Sequence, residues 1–99
     1  MKTVIINSES YEKHITGDGH PEQPKRVVVI KEKLKKRNDL IWKKPDLVPK
    51  NILAMTHSKE YIDNLNSSFP QKGLRFLDGD TVISPASKKA VFEAAGSTI

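Results

Sequence analysis

Three histidines and a pair of aspartates are the residues of this chain best suited to chemistry. His14 and His20 lie in a stretch rich in Gly and Pro, His57 precedes a candidate helix, and Asp78 and Asp80 flank Gly79. A histidine moves protons near neutral pH or ligates a metal. A carboxylate accepts hydrogen bonds or ligates a metal. Two histidines alone do not complete a tetrahedral metal site. The chain has no cysteine, which removes thiolate ligands and disulfides. Plainer uses of the same residues stand beside these. His20 suits a hydrogen-bonded structural role in a loop, and Asp78 and Asp80 suit a turn. Arg26, permanently charged and forked, is suited to anchoring its loop to a carboxylate or to carbonyls.

The elements that would hold these residues can be read from patterning. Thr3 to Asn7 is a short β-branched run and reads as a buried strand. Ser8 to Pro24 lacks periodicity and reads as a long loop. Pro24 opens a helix whose inner face carries Val27, Ile30 and Leu34 and which ends near Arg37 to Asp39. The run Val27-Val28-Val29 makes a strand the competing reading there. Trp42 to Asn51, with Pro45 and Pro49, reads as a connector, and Ile52 to Thr56 as a short second strand. Ser58 is placed to cap a helix reaching about Leu65, with Tyr61, Ile62 and Leu65 inward. Residues 66–76 read as loop, and Asp78-Gly79-Asp80 as a turn. Ser84-Pro85 reads as a helix start, with Ser84 the cap. The helix then continues through Ala86, Ala90, Val91, Ala94 and Ala95.

Length and composition bound the rest. Ninety-nine residues make one domain at most, and a chain of this size buries only about 65% of the surface its unfolded form exposes. With 36% hydrophobic and 29% charged residues, the mix suits a soluble globular protein. No apolar run approaches the ~20 residues of a membrane span, and the N-terminal apolar run is too short for a signal peptide. A reducing cytoplasm is the simplest compartment. The net charge of +5 is uneven. Residues 25–50 hold ten Lys or Arg against three acidic residues, while residues 51–99 balance. A solvated helix face is the usual meaning of such a run. The alternative is a small basic module for nucleic acid or an acidic partner, which lacks a recognition motif and aromatic interleaving here.

Three segments form an ordered pattern. The first is His14-x-x-Gly17-x-x-His20-Pro21-Glu22-x-Pro24-x-Arg26. The second is Thr56-His57-Ser58-x-x-Tyr61-Ile62-x-x-Leu65. The third is Leu77-Asp78-x-Asp80-Thr81-x-x-Ser84-Pro85-x-Ser87, followed by Ala90 and Ala94-Ala95-Gly96. Their succession resembles the N-terminal region of the histone deacetylase and acetylpolyamine amidohydrolase family, nearest its class II-like bacterial members.

The resemblance implies an α/β fold, the N-terminal part of an arginase/deacetylase-type three-layer α/β/α architecture with short parallel strands and about three helices. It implies a single piece, residues 1–99, of one deacetylase domain, incomplete as it stands and cut near the last helix. Family members are zinc hydrolases, in which the metal activates water and polarises an amide carbonyl while histidines move protons. The resemblance places the metal ligands and catalytic groups beyond Ile99, so no catalytic residue and no metal ligand is assigned to this chain. It places His20, Pro21 and Arg26 on a loop at the active-site rim, with Pro21 and Pro24 stiffening it. It gives Asp80 the position of a rim aspartate that hydrogen-bonds the substrate backbone. The implied partners are an acetylated amine substrate for the full-length parent and the remainder of the deacetylase domain. Exposed faces of a partial domain would also favour self-association.

Overall fold

A parallel strand pair organises the amino-terminal half. The computed structural model describes residues 2–99. The β-branched run forms β1, Thr3–Ile6, and Leu40–Lys43 forms β2 beside it. The two are parallel, in a register that opposes Thr3 to Leu40 and Ile6 to Lys43. Parallel neighbours require a long crossover, and the first loop with α1, Pro24–Leu34, supplies it. The first loop is not wholly irregular: Glu9–Lys13 coils into a short 3₁₀ turn, with the Ser8 hydroxyl accepting from the Ser10 N–H.

β2 overturns the expectation of a connector from Trp42. The apolar triplet Leu40-Ile41-Trp42 was its signal, and the strand is too short to show a clear alternation of its own. The sheet is also less covered than the continuous apolar run of β1 suggested. Val4, Ile6 and Ile41 are each more than a third exposed.

α1 forms despite three consecutive valines, because Pro24 at its first turn is pre-set for helix. Its inner face differs from the expected one. Val27, Val28, Lys31 and Leu34 are half-buried, while Ile30 is 58% exposed. Lys31 turns inward because its ammonium is 2.5 Å from the Glu12 carboxylate in the 3₁₀ turn.

The expected strand at Ile52 to Thr56 is instead a single helical turn, α2, Lys50–Leu53, and a following turn. Pro49 precedes it at φ −65°, and main-chain bonds from Ile52 and Ala54 back to Pro49 and Lys50 close it. α3, Lys59–Ser68, is capped as expected, with the Ser58 side chain accepting from the Tyr61 N–H. Ile62 is buried on its inner face, but Tyr61 stays half-exposed, its ring stacked on His57 at 4.9 Å.

A small antiparallel hairpin follows: β3, Arg75–Phe76, and β4, Val82–Ile83. The Asp78-Gly79-Asp80 turn connects them. α4, Ser87–Gly96, starts later than expected, and Ser84 does not cap it. The Ser84 main-chain N–H donates to the Ser87 hydroxyl instead.

Val82, Ile83 and Ala90 are buried together with Val48 and Ile62. A large aliphatic side chain in such a position contributes about 1.5–3 kcal/mol. At Gly96 the backbone of α4 comes so close to residues 46–48 that an added Cβ would lie 1.8 Å from the Asp46 carbonyl oxygen. The Val48 N–H donates to the Phe92 carbonyl at 3.1 Å beside it. Among the described residues the architecture is therefore α/β, with a parallel pair, four helices and a separate hairpin.

Candidate functional site

The first loop and the hairpin meet across a groove of about 400 Å³. His14, His20, Glu22, Tyr61 and Asp80 face it, over a floor that includes Leu65, Phe69 and Val91.

The loop is fixed to α4 at its start. The His14 Nδ1 lies 2.6 Å from the Ser87 hydroxyl, and Ser87 is fully buried. The Ile15 N–H donates to the Ser84 hydroxyl at 3.1 Å. The Ser87 oxygen also receives the Ser84 N–H at 2.9 Å. Both serines belong to the Ser84-Pro85-x-Ser87 motif, so the motif's polar spacing serves to hold His14 and its loop. The buried Thr16 hydroxyl then donates to the Glu22 carbonyl, closing the loop on itself. Gly17, at φ +102°, makes the turn that this closure requires.

His20 has a defined tautomer. Its Nδ1 accepts from the Glu22 N–H at 3.0 Å, so the ring proton sits on Nε2. Nε2 therefore donates to the main-chain carbonyl of Asp80 at 2.7 Å. Both nitrogens are engaged, which is the structural role a loop histidine can take.

Asp78 and Asp80 divide their duties. The Asp78 carboxylate accepts from the N–H groups of Asp80 and Thr81 and from the Thr81 hydroxyl. The Asp80 N–H first, then the Thr81 hydroxyl and N–H, hold its pKa below the ordinary aspartate value. Asp80 contributes its main chain to the turn and is one of the residues lining the groove.

Arg26 pairs with Glu22 at 3.5 Å, one helical turn back. Both side chains are more than half exposed, so the pair contributes little to stability. Pro21 lies on the exposed surface of the loop beside His20.

The structure thus brings His14, His20 and Asp80 to one groove and leaves Arg26, His57 and Asp78 off its lining. Tyr61 and Thr16 are lining residues that patterning did not single out as functional. Tyr61 was legible only as a helix residue. Among the described residues no three His, Asp or Glu side chains gather to hold a metal ion. His14 and His20 are instead committed to Ser87, Glu22 and Asp80. The arrangement suits recognition: an acceptor carboxylate on a pinned turn, beside an apolar trough. No helix among the described residues is long and apolar enough to cross a membrane.

A model of the histone deacetylase domain matches residues 20–99, which includes the His20 end of the groove. An uncharacterized protein of Synechocystis sp. is 38% identical over 90 residues, spanning 85% of this chain and 29% of that protein. The HD domain of HDA15, known from a crystal structure, superposes with a TM-score of 0.81 at 22% identity. That superposition covers 97% of this chain and 30% of the solved one. At such identity the likeness shows the fold. The chain spans less than a third of the length of either relative.

Proposed function

The chain belongs to the histone deacetylase domain family, and we propose that it forms the N-terminal part of a zinc-dependent amidohydrolase acting on acetyl-lysine or acetyl-polyamine-type amides. Residues 1–99 are one piece of a single deacetylase domain in this reading. The piece contributes recognition surface, and the reacting groups come from the remainder of the domain.

The observation that carries the reading is the His20–Asp80 bond within the family-matched stretch. It fixes the Asp80 turn against the first loop, and Asp80 is among the residues that line the groove. A carboxylate held in this way can accept from the amide N–H groups of a peptide-like substrate, with the strength of a charge-assisted bond. The apolar trough beside it offers room for an aliphatic side chain.

The described residues do not fit the metal of this family, since no ligand group assembles among them. No step of the hydrolysis is therefore assigned to this chain's residues. Their part is to bind and orient.

The test compares the full-length protein with its Asp80→Ala variant on an acetyl-lysine peptide, with zinc supplied. Turnover by the wild type, and a loss of about tenfold in kcat/KM for the variant at unchanged Tm, is the expected result for a lost charged hydrogen bond. Unchanged kinetics would remove Asp80 from substrate binding. No turnover by the wild type, on either an acetyl-lysine peptide or an acetylated polyamine, would refute the proposed activity.

A further inference from the structure

A second pocket, of about 400 Å³, opens at the carboxyl ends of β1 and β2. Asn7 and Ser8, which follow β1, form one wall, and Lys43 and Lys44, at the end of β2, form another. Lys13 comes from the 3₁₀ turn and Lys89 from α4. Lys31 of α1 and Lys35, which follows it, complete the basic lining. Two of these lysines lie outside the basic stretch of residues 25–50, so the convergence is a product of folding.

Convergence distinguishes this pocket from a solvated basic face. A run of lysines along one helix spreads its charge into water. Here six lysines from separate parts of the chain line one cavity, five of them exposed, and a bound anion would offset their mutual repulsion. Among the described residues only Lys31 of the six makes an ion pair, with Glu12. Lys35 lies 5.5 Å from the centre of the Trp42 ring, a further wall of the pocket.

Two carboxylates also line the pocket, Glu9 and Glu93. Glu93 is held by the Ser10 and Ser8 hydroxyls, with Lys89 and Lys44 nearby. The lysines still outnumber the carboxylates threefold. The crevice beyond the carboxyl ends of parallel strands is also where α/β folds commonly bind ligands.

We propose that this pocket binds a compact oligophosphate anion. Lysine acts as a mobile point charge and suits a ligand with several charged oxygens at variable geometry. The site is separate from the His20–Asp80 groove and does not depend on the amide-hydrolase reading.

The test uses inorganic tripolyphosphate as the probe, titrated calorimetrically into the full chain. Two charge-matched variants are compared. One carries Lys43→Gln, Lys44→Gln and Lys89→Gln in the pocket. The other carries Lys25→Gln, Lys33→Gln and Lys36→Gln, on α1 and the turn after it but off the pocket lining. Saturable one-to-one binding, weakened about tenfold or more in the first variant and less than about twofold in the second, is the expected result for a local electrostatic site. Equal weakening in both would mean diffuse attraction to the basic surface and would overturn the proposal. A measurement on the unaltered chain stands apart from any folding defect in the variants. Tripolyphosphate should slow amine-directed labelling of Lys43, Lys44 and Lys89 but not of Lys25, Lys33 and Lys36. Uniform labelling rates, with and without the probe, would overturn the site.

Discussion

The imidazole of His20 reaches the main chain of Asp80, sixty positions later, through a 2.7 Å bond from Nε2 to the carbonyl oxygen. The bond joins the first loop to the hairpin turn, and the Glu22 N–H on Nδ1 sets the tautomer that makes it possible.

Replacing this histidine should therefore loosen a turn far away in sequence. His20→Ala removes two hydrogen bonds at an exposed site, to the Asp80 carbonyl and from the Glu22 N–H, a loss of about 0.5–1.5 kcal/mol for each. Amide hydrogen exchange at Asp80 and Thr81 should accelerate, because their bonds to Asp78 lose the support of the loop. Exchange at these amides indistinguishable from wild type would show that the Asp78 turn stands without His20.

Ser87 and Ser84 should differ in their tolerance of alanine. Ser87→Ala leaves the buried Ser84 N–H without its acceptor and His14 without its partner. An unsatisfied buried group costs about 1–3 kcal/mol. Ser84→Ala chiefly removes the acceptor for the Ile15 N–H, at a residue nearly half exposed where water can substitute. Urea denaturation should rank Ser87→Ala as the more destabilising. The reverse order would contradict the network.

Gly96 is held by space. An added methyl group would meet the Asp46 carbonyl oxygen at 1.8 Å, and the obstacle is backbone. Helix propensity alone favours alanine over glycine by about 1 kcal/mol, but overpacking of this kind costs about 1–3 kcal/mol or more. Gly96→Ala should lower Tm. A raised Tm would mean that α4 and residues 46–48 separate easily.

Glu93 gives the fold an acid-sensitive contact. The hydroxyls of Ser10 and then Ser8 hold its carboxyl below the ordinary value of 4.5. The unfolded chain then takes up this proton more readily than the folded one, so the contact's stabilisation is present above about 4.5 and is lost as pH falls through the lower folded value. Denaturation midpoints across this range should fall more steeply for the wild type than for Glu93→Gln. Parallel profiles would show that Glu93 makes no such contribution.

Much of this molecule was legible in its sequence. The three ordered motifs identified the family, because they preserve residue types at fixed separations whatever the fold does between them. β1, α1, the Ser58 cap and the Asp78-Gly79-Asp80 turn were readable because each is governed by local chemistry: β-branching, a proline at a helix start, a capping hydroxyl and a turn carboxylate. Tertiary structure decided what local chemistry leaves open. β2 exists because β1 offers an edge to pair with. Lys31 faces inward because Glu12 is there, and Ser84 gave up its capping role to hold Ile15. His20 was readable as a hydrogen-bonded loop residue, but its partner at Asp80 was not, and neither was the gathering of Lys13 and Lys89 with the α1 and β2 lysines. Such contacts join positions whose sequence separation carries no periodic or local signal, and only the packing of the intervening elements brings them within bonding distance.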